Sequence, residues 1–118
     1  MKTIFVVDDN NIILMTADEI LSGSYDVFTF ASVTTMFELL NDIKPDLILL
    51  DIMMPEINGF SAIKKLKADT RYAQIPVIFL TGKDDADTRA QGLEAGALDI
   101  ILKPSLGKVL LSCIKKYC

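Results

Sequence analysis

The sequence predicts one α/β domain, residues 1–118, folded as a doubly wound (βα)5 unit. Its five-stranded parallel sheet should run in the order 2-1-3-4-5 with helices on both faces. Three observations predict it. Five short apolar runs alternate strictly with five helical patterns. Four of the runs are continuously apolar, as parallel strands covered on both faces are. Such alternation requires right-handed crossovers, and for five strands 2-1-3-4-5 is a common order.

The elements follow in turn. The first run is Ile4–Val7, within MKTIFVVDDNN. A lone Lys and an apolar stretch resemble a signal peptide, but Asp8 and Asp9 end the stretch too early, and a buried strand fits better. Asn10 or Asn11 caps a first helix marked by Ile13, Ala17, Ile20 and Leu21. The run Val27–Phe30 is interrupted by Thr29 and reads as an edge strand. Ser32 opens a helix carrying Val33, Met36, Phe37, Leu40 and Ile43, and Pro45 falls just before the run Leu47–Leu50. A third helix carries Phe60, Ile63 and Leu66 and ends before Ile75-Pro76, ahead of the run Val77–Leu80. Asp84 or Asp85 caps a fourth helix with Ala86, Ala90 and Leu93, closed by Gly96. The last run, Ile100–Leu102, precedes a helix with Leu106, Leu110, Cys113 or Ile114, and Tyr117.

The composition narrows the function. With 118 residues, 51% hydrophobic and 24% charged, the chain has room for one folded core, and disorder is excluded. No apolar run approaches the roughly 18–20 residues that span a bilayer, so a cytoplasmic chain without membrane contact is expected. A net charge of −4 disfavours direct nucleic-acid binding. Cys113 and Cys118 would lie about 140° apart around a helix, poorly placed to pair, and read as free thiols. The absence of histidine removes phosphohistidine carriers, Ser-His-Asp hydrolases and His-ligated zinc.

What remains is chemistry on carboxylates, hydroxyls and lysines, and these fall together. The first run ends in Asp8-Asp9, the third in Asp51, the fourth in Thr81-Gly82 and the fifth in Lys103-Pro104. In the predicted order all of them reach the carboxyl edge of the sheet, where doubly wound folds bind ligands. Turn chemistry explains any one of them but not three carboxylates and a lysine converging. Clustered carboxylates raise one another's pKa and destabilise a fold unless a cation compensates. With oxygen ligands only, Mg2+ suits the site better than zinc. A carboxylate beside such a metal, with a lysine and a hydroxyl, suits phosphoryl transfer onto the carboxylate itself.

These residues resemble the CheY-like receiver domain of response regulators, along essentially the whole chain. The matching segments are VVDDN at 6–10, LILLDIMMPEINGF at 47–60, FLTGKDD at 79–85 and GALDIILKP at 96–104. The resemblance implies that Asp51 is phosphorylated by a histidine kinase or phosphotransfer protein. It implies that Asp9 ligates Mg2+ directly, with Asp8 acting mainly through metal-bound water, and that Asp51 and the Met53 carbonyl complete the ligands. Thr81 becomes the switch hydroxyl and Lys103 the partner of the phosphate. The Lys103–Pro104 bond is expected to be cis. Output to a partner or effector domain is expected through segment 81–117.

Three departures from the family stand out. Ile100 occupies a position usually held by Tyr or Phe, an aromatic that swings inward as Thr81 moves; Ile100 is either core packing or part of a modified switch. Ser105 after Pro104, and Val109, depart from what many members place there. They weaken the case for a symmetric dimer and leave a monomer or a weak phosphorylation-linked dimer. Asn58 replaces a common Asp before Gly59, and both suit a turn. Met53-Met54 reads as loop packing apart from the Met53 carbonyl. Lys64, Lys65 and Lys67 read as a solvated helix face, and Lys83 lies near enough to Thr81 to influence how water reaches the site.

The alternative reading is a receiver-like interaction module that is never phosphorylated, supported by Ile100 alone. A flavin protein is disfavoured because the loop after the first strand is acidic. An aspartate-dependent phosphatase would carry Asp-x-Asp on that strand, not adjacent Asp8-Asp9. The sequence leaves open whether this is a stand-alone regulator or the receiver part of a longer protein.

Overall fold

The computed structural model describes residues 1–54 and 57–118; Pro55 and Glu56 of the 47–60 segment lie outside the described residues. Five strands, β1 (Thr3–Val7), β2 (Asp26–Phe30), β3 (Leu47–Asp51), β4 (Val77–Thr81) and β5 (Asp99–Leu102), form one sheet. All its neighbours pair in parallel, in the order β2-β1-β3-β4-β5. Between and after them run α1 (Asn11–Leu21), α2 (Val33–Leu40), α3 (Gly59–Ala68), α4 (Ala86–Glu94) and α5 (Leu106–Tyr117).

Alternation of side chains along each strand sorts the core into two layers. Ile4, Val6, Leu47, Leu49, Ile78, Leu80 and Ile101 pack toward α1 and α5. Phe5, Val7, Ile48, Leu50, Val77, Phe79 and Ile100 pack toward the opposite side, where α2 and α3 add Met36, Leu40, Ile63 and Leu66. β1, β3 and β4 are therefore apolar at successive positions, whereas β2, at one margin, is only partly covered. Its register places Thr29 opposite Val6, exposed as an edge position allows.

Four helices begin on side-chain caps. Asn10 Oδ1 accepts from the Ile12 and Ile13 amides, Ser32 Oγ from Thr35, Asn58 Oδ1 from Ser61 and Asp85 Oδ1 from Thr88. Each such cap contributes roughly 1 kcal/mol. Asn58, which the sequence suggested only for a turn, thus starts α3. At the other margin Asp99 joins β5 to the last turn of α5: its Oδ2 accepts from the Tyr117 hydroxyl at 3.0 Å.

α3 ends at Ala68, before Ile75-Pro76 as expected, and a turn fastened by the Arg71 guanidinium on Asp69 fills the gap. Other expectations are corrected. Lys67 does not share the solvated face of Lys64 and Lys65: its ammonium donates to the Ala73 and Ile75 carbonyls beneath that turn. On α4, Ala86, Ala90 and Leu93 are exposed. The helix instead meets the sheet through buried Gly92, and half-buried Ala95, just past its end, packs on the same core. Gly96 closes it as expected, at φ +112, a backbone conformation that favours glycine.

The expected cis bond before Pro104 is also corrected. Among the described residues no peptide bond is cis. Pro104 sits at the start of a short 3-10 turn, Lys103–Ser105, where its fixed φ suits the helical direction and the intrinsically favoured trans form leads directly into α5.

Candidate functional site

The site lies beyond the carboxyl ends of β1, β3, β4 and β5, as the sheet order requires. β1 and β3 are adjacent, so Asp8, which follows β1, and Asp51, which ends β3, converge. Their carboxylates are buried, Asp8 at 0% and Asp51 at 1% exposure, and Thr81 is equally enclosed. Asp9 is exposed, yet one of its oxygens lies within 4.8 Å of ligand atoms of both Asp8 and Asp51.

Lys103 reaches into this group from the end of β5. Its Nζ is 3.0 Å from Asp8 Oδ2 and 3.1 Å from Asp51 Oδ2. These are ion-pair contacts without well-directed hydrogen bonds, so the same two oxygens keep bonding capacity unused. The remaining oxygens are held by backbone: the Asn10 amide donates to Asp8 Oδ1 at 2.9 Å, and the Met53 amide to Asp51 Oδ1 at 3.2 Å. The amide of Lys83 donates to Thr81 Oγ1 at 3.1 Å. That bond fixes the hydroxyl as an acceptor on one side and leaves its proton free to donate on the other.

The electrostatics follow from this packing. Burial, then the charge of Asp8, pushes the Asp51 carboxyl up to about 6, against the opposing pull of Lys103 and the Met53 amide. Burial alone would lower the Lys103 ammonium, but its ion pairs with Asp8 and Asp51 outweigh that and hold it above its ordinary value. Three carboxylates against one ammonium leave two negative charges, the complement of one divalent cation. The metal-ligating atoms gathered among the described residues are carboxylate oxygens of Asp8, Asp9 and Asp51. The unused capacity on Asp8 Oδ2 and Asp51 Oδ2 therefore fits a hard ion that prefers oxygen.

The structure thus gathers Asp8, Asp9, Asp51, Thr81 and Lys103, with Met53 adjoining through its backbone while its side chain stays exposed. Ile100 lies away from the carboxylates: it is 7% exposed and packs with Phe79 and Ala97 on the side of the sheet that faces α4. Sequence reasoning missed the part played by Gly59. A Cβ there would meet the Asp51 carbonyl oxygen at 2.6 Å and Ile52 Cα at 2.8 Å, so only glycine lets α3 start directly against the end of β3. The Gly59 amide donates to the Ile52 carbonyl at 2.8 Å and fastens that approach. The Asn58-Gly59 pair was the available signal.

A parallel 2-1-3-4-5 sheet with an acid-lysine-threonine cluster at its carboxyl edge is the arrangement that the sequence resemblance implies. Comparison with known proteins agrees. Residues 4–115 match the response regulator receiver domain, and the chain belongs to that family, a regulatory component of two-component systems. It is 38% identical over 115 residues to the phosphate regulon transcriptional regulatory protein PhoB of Pseudomonas aeruginosa, covering 97% of this chain and 50% of that one. The chain spans half the length, or less, of such curated relatives. Among solved structures it superposes on a putative response regulator from Chloroflexus aurantiacus with a TM-score of 0.91 at 26% identity, over 98% of this chain and 96% of the other. It also superposes on the BeF3-activated receiver domain of DrrB from Thermotoga maritima, with a TM-score of 0.89 at 30% identity, over 99% and 97%. Receiver domains of response regulators interact with histidine kinases and output domains. No helix among the described residues is long and apolar enough to cross a membrane.

Proposed function

We propose that this domain is a phosphorylation-controlled switch in which Asp51 accepts a phosphoryl group from a phosphohistidine of a kinase or phosphotransfer protein. The observation that carries the reading is the buried pair Asp8–Asp51 bridged by the Lys103 ammonium at 3.0 and 3.1 Å. A structural ion pair needs one carboxylate per lysine; this cluster holds an excess of negative charge next to a nucleophile.

Asp9, Asp51 and the Met53 carbonyl would hold Mg2+, with Asp8 alongside. The ion would neutralise charge on the phosphoryl oxygens. In the transfer, a carboxylate oxygen of Asp51 forms the new P–O bond as the P–N bond of the donor breaks, and the departing imidazole takes up a proton. Lys103 then pairs with the phosphoryl group, and Thr81 donates its free proton to one of its oxygens. Attack by water on phosphorus breaks the bond to the Asp51 oxygen, releases inorganic phosphate and regenerates the carboxylate. The turnover is that of a regulator, not of an enzyme acting on a separate substrate.

Incubation with acetyl phosphate and Mg2+ should add one phosphoryl group by intact mass, and Asp51→Asn should abolish it. An Asp51→Asn chain labelled as fully as wild type overturns the reading.

A further inference from the structure

Helix α4 follows Thr81 after a four-residue segment, 82–85, so it is tied by the backbone to a residue of the site. Its hold on the sheet is slight. Of its residues only Gly92 is buried, while Leu93 beside it is 48% exposed. The Gly92 contact is unusually close. A Cβ built there would lie 2.9 Å from Ile100 Cδ1 and 3.1 Å from Phe79 Cδ2, so any side chain at 92 would press on the Ile100 methyl and the Phe79 ring and make them give way. The two residues beneath it are partners across the β4–β5 pairing, Phe79 with Ile100, two positions before Thr81 and its partner Leu102.

A bare backbone resting on a terminal methyl and a ring edge has no knob to catch between them. A methyl at position 92 would create one and fix a discrete seat. We infer that Gly92 is the pivot on which α4 shifts over Ile100 and Phe79 when Thr81 is drawn toward a phosphoryl group. The shift carries the exposed Leu93 with it and alters the surface offered to a partner. Ile100, smaller than an aromatic ring, is then a bearing under the helix and does not itself rotate to transmit the signal. The inference rests on the reading of Asp51 as phosphoryl acceptor.

The test follows amide chemical shifts of the whole chain in Mg2+ with and without beryllofluoride as the phosphoryl mimic. Wild type should respond at 51–53, at 81–83 and along 86–94. Gly92→Ala should keep the first two responses and lose at least half of the third. Alanine is the better helix former, so the loss cannot come from a weakened helix. Adding Ile100→Val, which removes the methyl that the new Cβ meets, should restore the response of α4. Should Gly92→Ala alone prove too unstable to fold, the double variant carries the test, with a responsive α4 supporting the pivot and a silent one overturning it. A full α4 response in Gly92→Ala, or no restoration in the double variant, overturns the pivot. Wild type responding at 51–53 with a motionless α4 overturns it too, yet leaves the acceptor reading intact. No response at 51–53 in wild type defeats both.

Discussion

The cluster at the carboxyl edge of the sheet and helix α4 are joined by four residues and are built in opposite ways. Asp8, Asp51 and Thr81 are almost wholly enclosed, and each is held by a backbone amide two residues further along the chain. α4 buries one glycine and presents nearly everything else to solvent. In the proposed switch the difference separates two tasks. Chemistry on a carboxylate needs fixed oxygens in a poorly hydrated place, where charge is costly and therefore responsive to a ligand. Transmission needs an element whose attachment is weak enough for a few kcal/mol at the site to move it.

The largest effect should come from unbalancing the enclosed charges. Lys103→Met leaves two buried carboxylates without their ammonium, which should cost about 3 kcal/mol of stability near neutral pH. Urea unfolding checks this, and the deficit should shrink in acid as Asp51, whose carboxyl is raised to about 6, protonates. Gly59→Ala should cost about 2 kcal/mol, because backbone atoms that cannot step aside meet the new methyl. Its thermal unfolding should fall well below that of Gly23→Ala, where nothing stands in the way.

Asp51→Asn should do the reverse and stabilise the unphosphorylated domain by about 2 kcal/mol above pH 6. The Asp51 carboxyl is raised from the ordinary carboxylate range to about 6. The folded state therefore holds that proton more tightly than the unfolded chain does. The penalty of the charged form is complete above about pH 6 and vanishes as pH falls toward 4. Unfolding curves of wild type and variant should accordingly converge between those values; a constant gap would contradict the assigned cause. The smallest expected effect is that of the cation. Mg2+ at ten times its dissociation constant should stabilise wild type by about 1.4 kcal/mol and leave Asp51→Asn far less affected. Equal stabilisation of both would place the ion elsewhere.

Much of this contrast was legible in the sequence. Uninterrupted apolar runs such as Leu47–Leu50 reveal doubly covered strands, and the polar residues that end them share an edge once the order is known. The α4 face was misread for a physical reason. Ala86, Ala90 and Leu93 repeat at helical spacing, but so do Thr88, Gly92 and Ala95, and the second set is the one turned away from solvent. Burial of a glycine leaves no hydrophobic signal to find. Gly59 hid its role likewise, because its importance lies in the absence of an atom beside Asp51. The backbone at Pro104 was beyond sequence, since both isomers of an X–Pro bond are open until the following turn is known.

The most direct measurement maps the modified residue after treatment with acetyl phosphate in the presence and absence of Mg2+. The account predicts one phosphoryl group, located by peptide fragmentation at Asp51 and dependent on the metal. A group found on another residue, or incorporation unchanged by removing Mg2+, would contradict it.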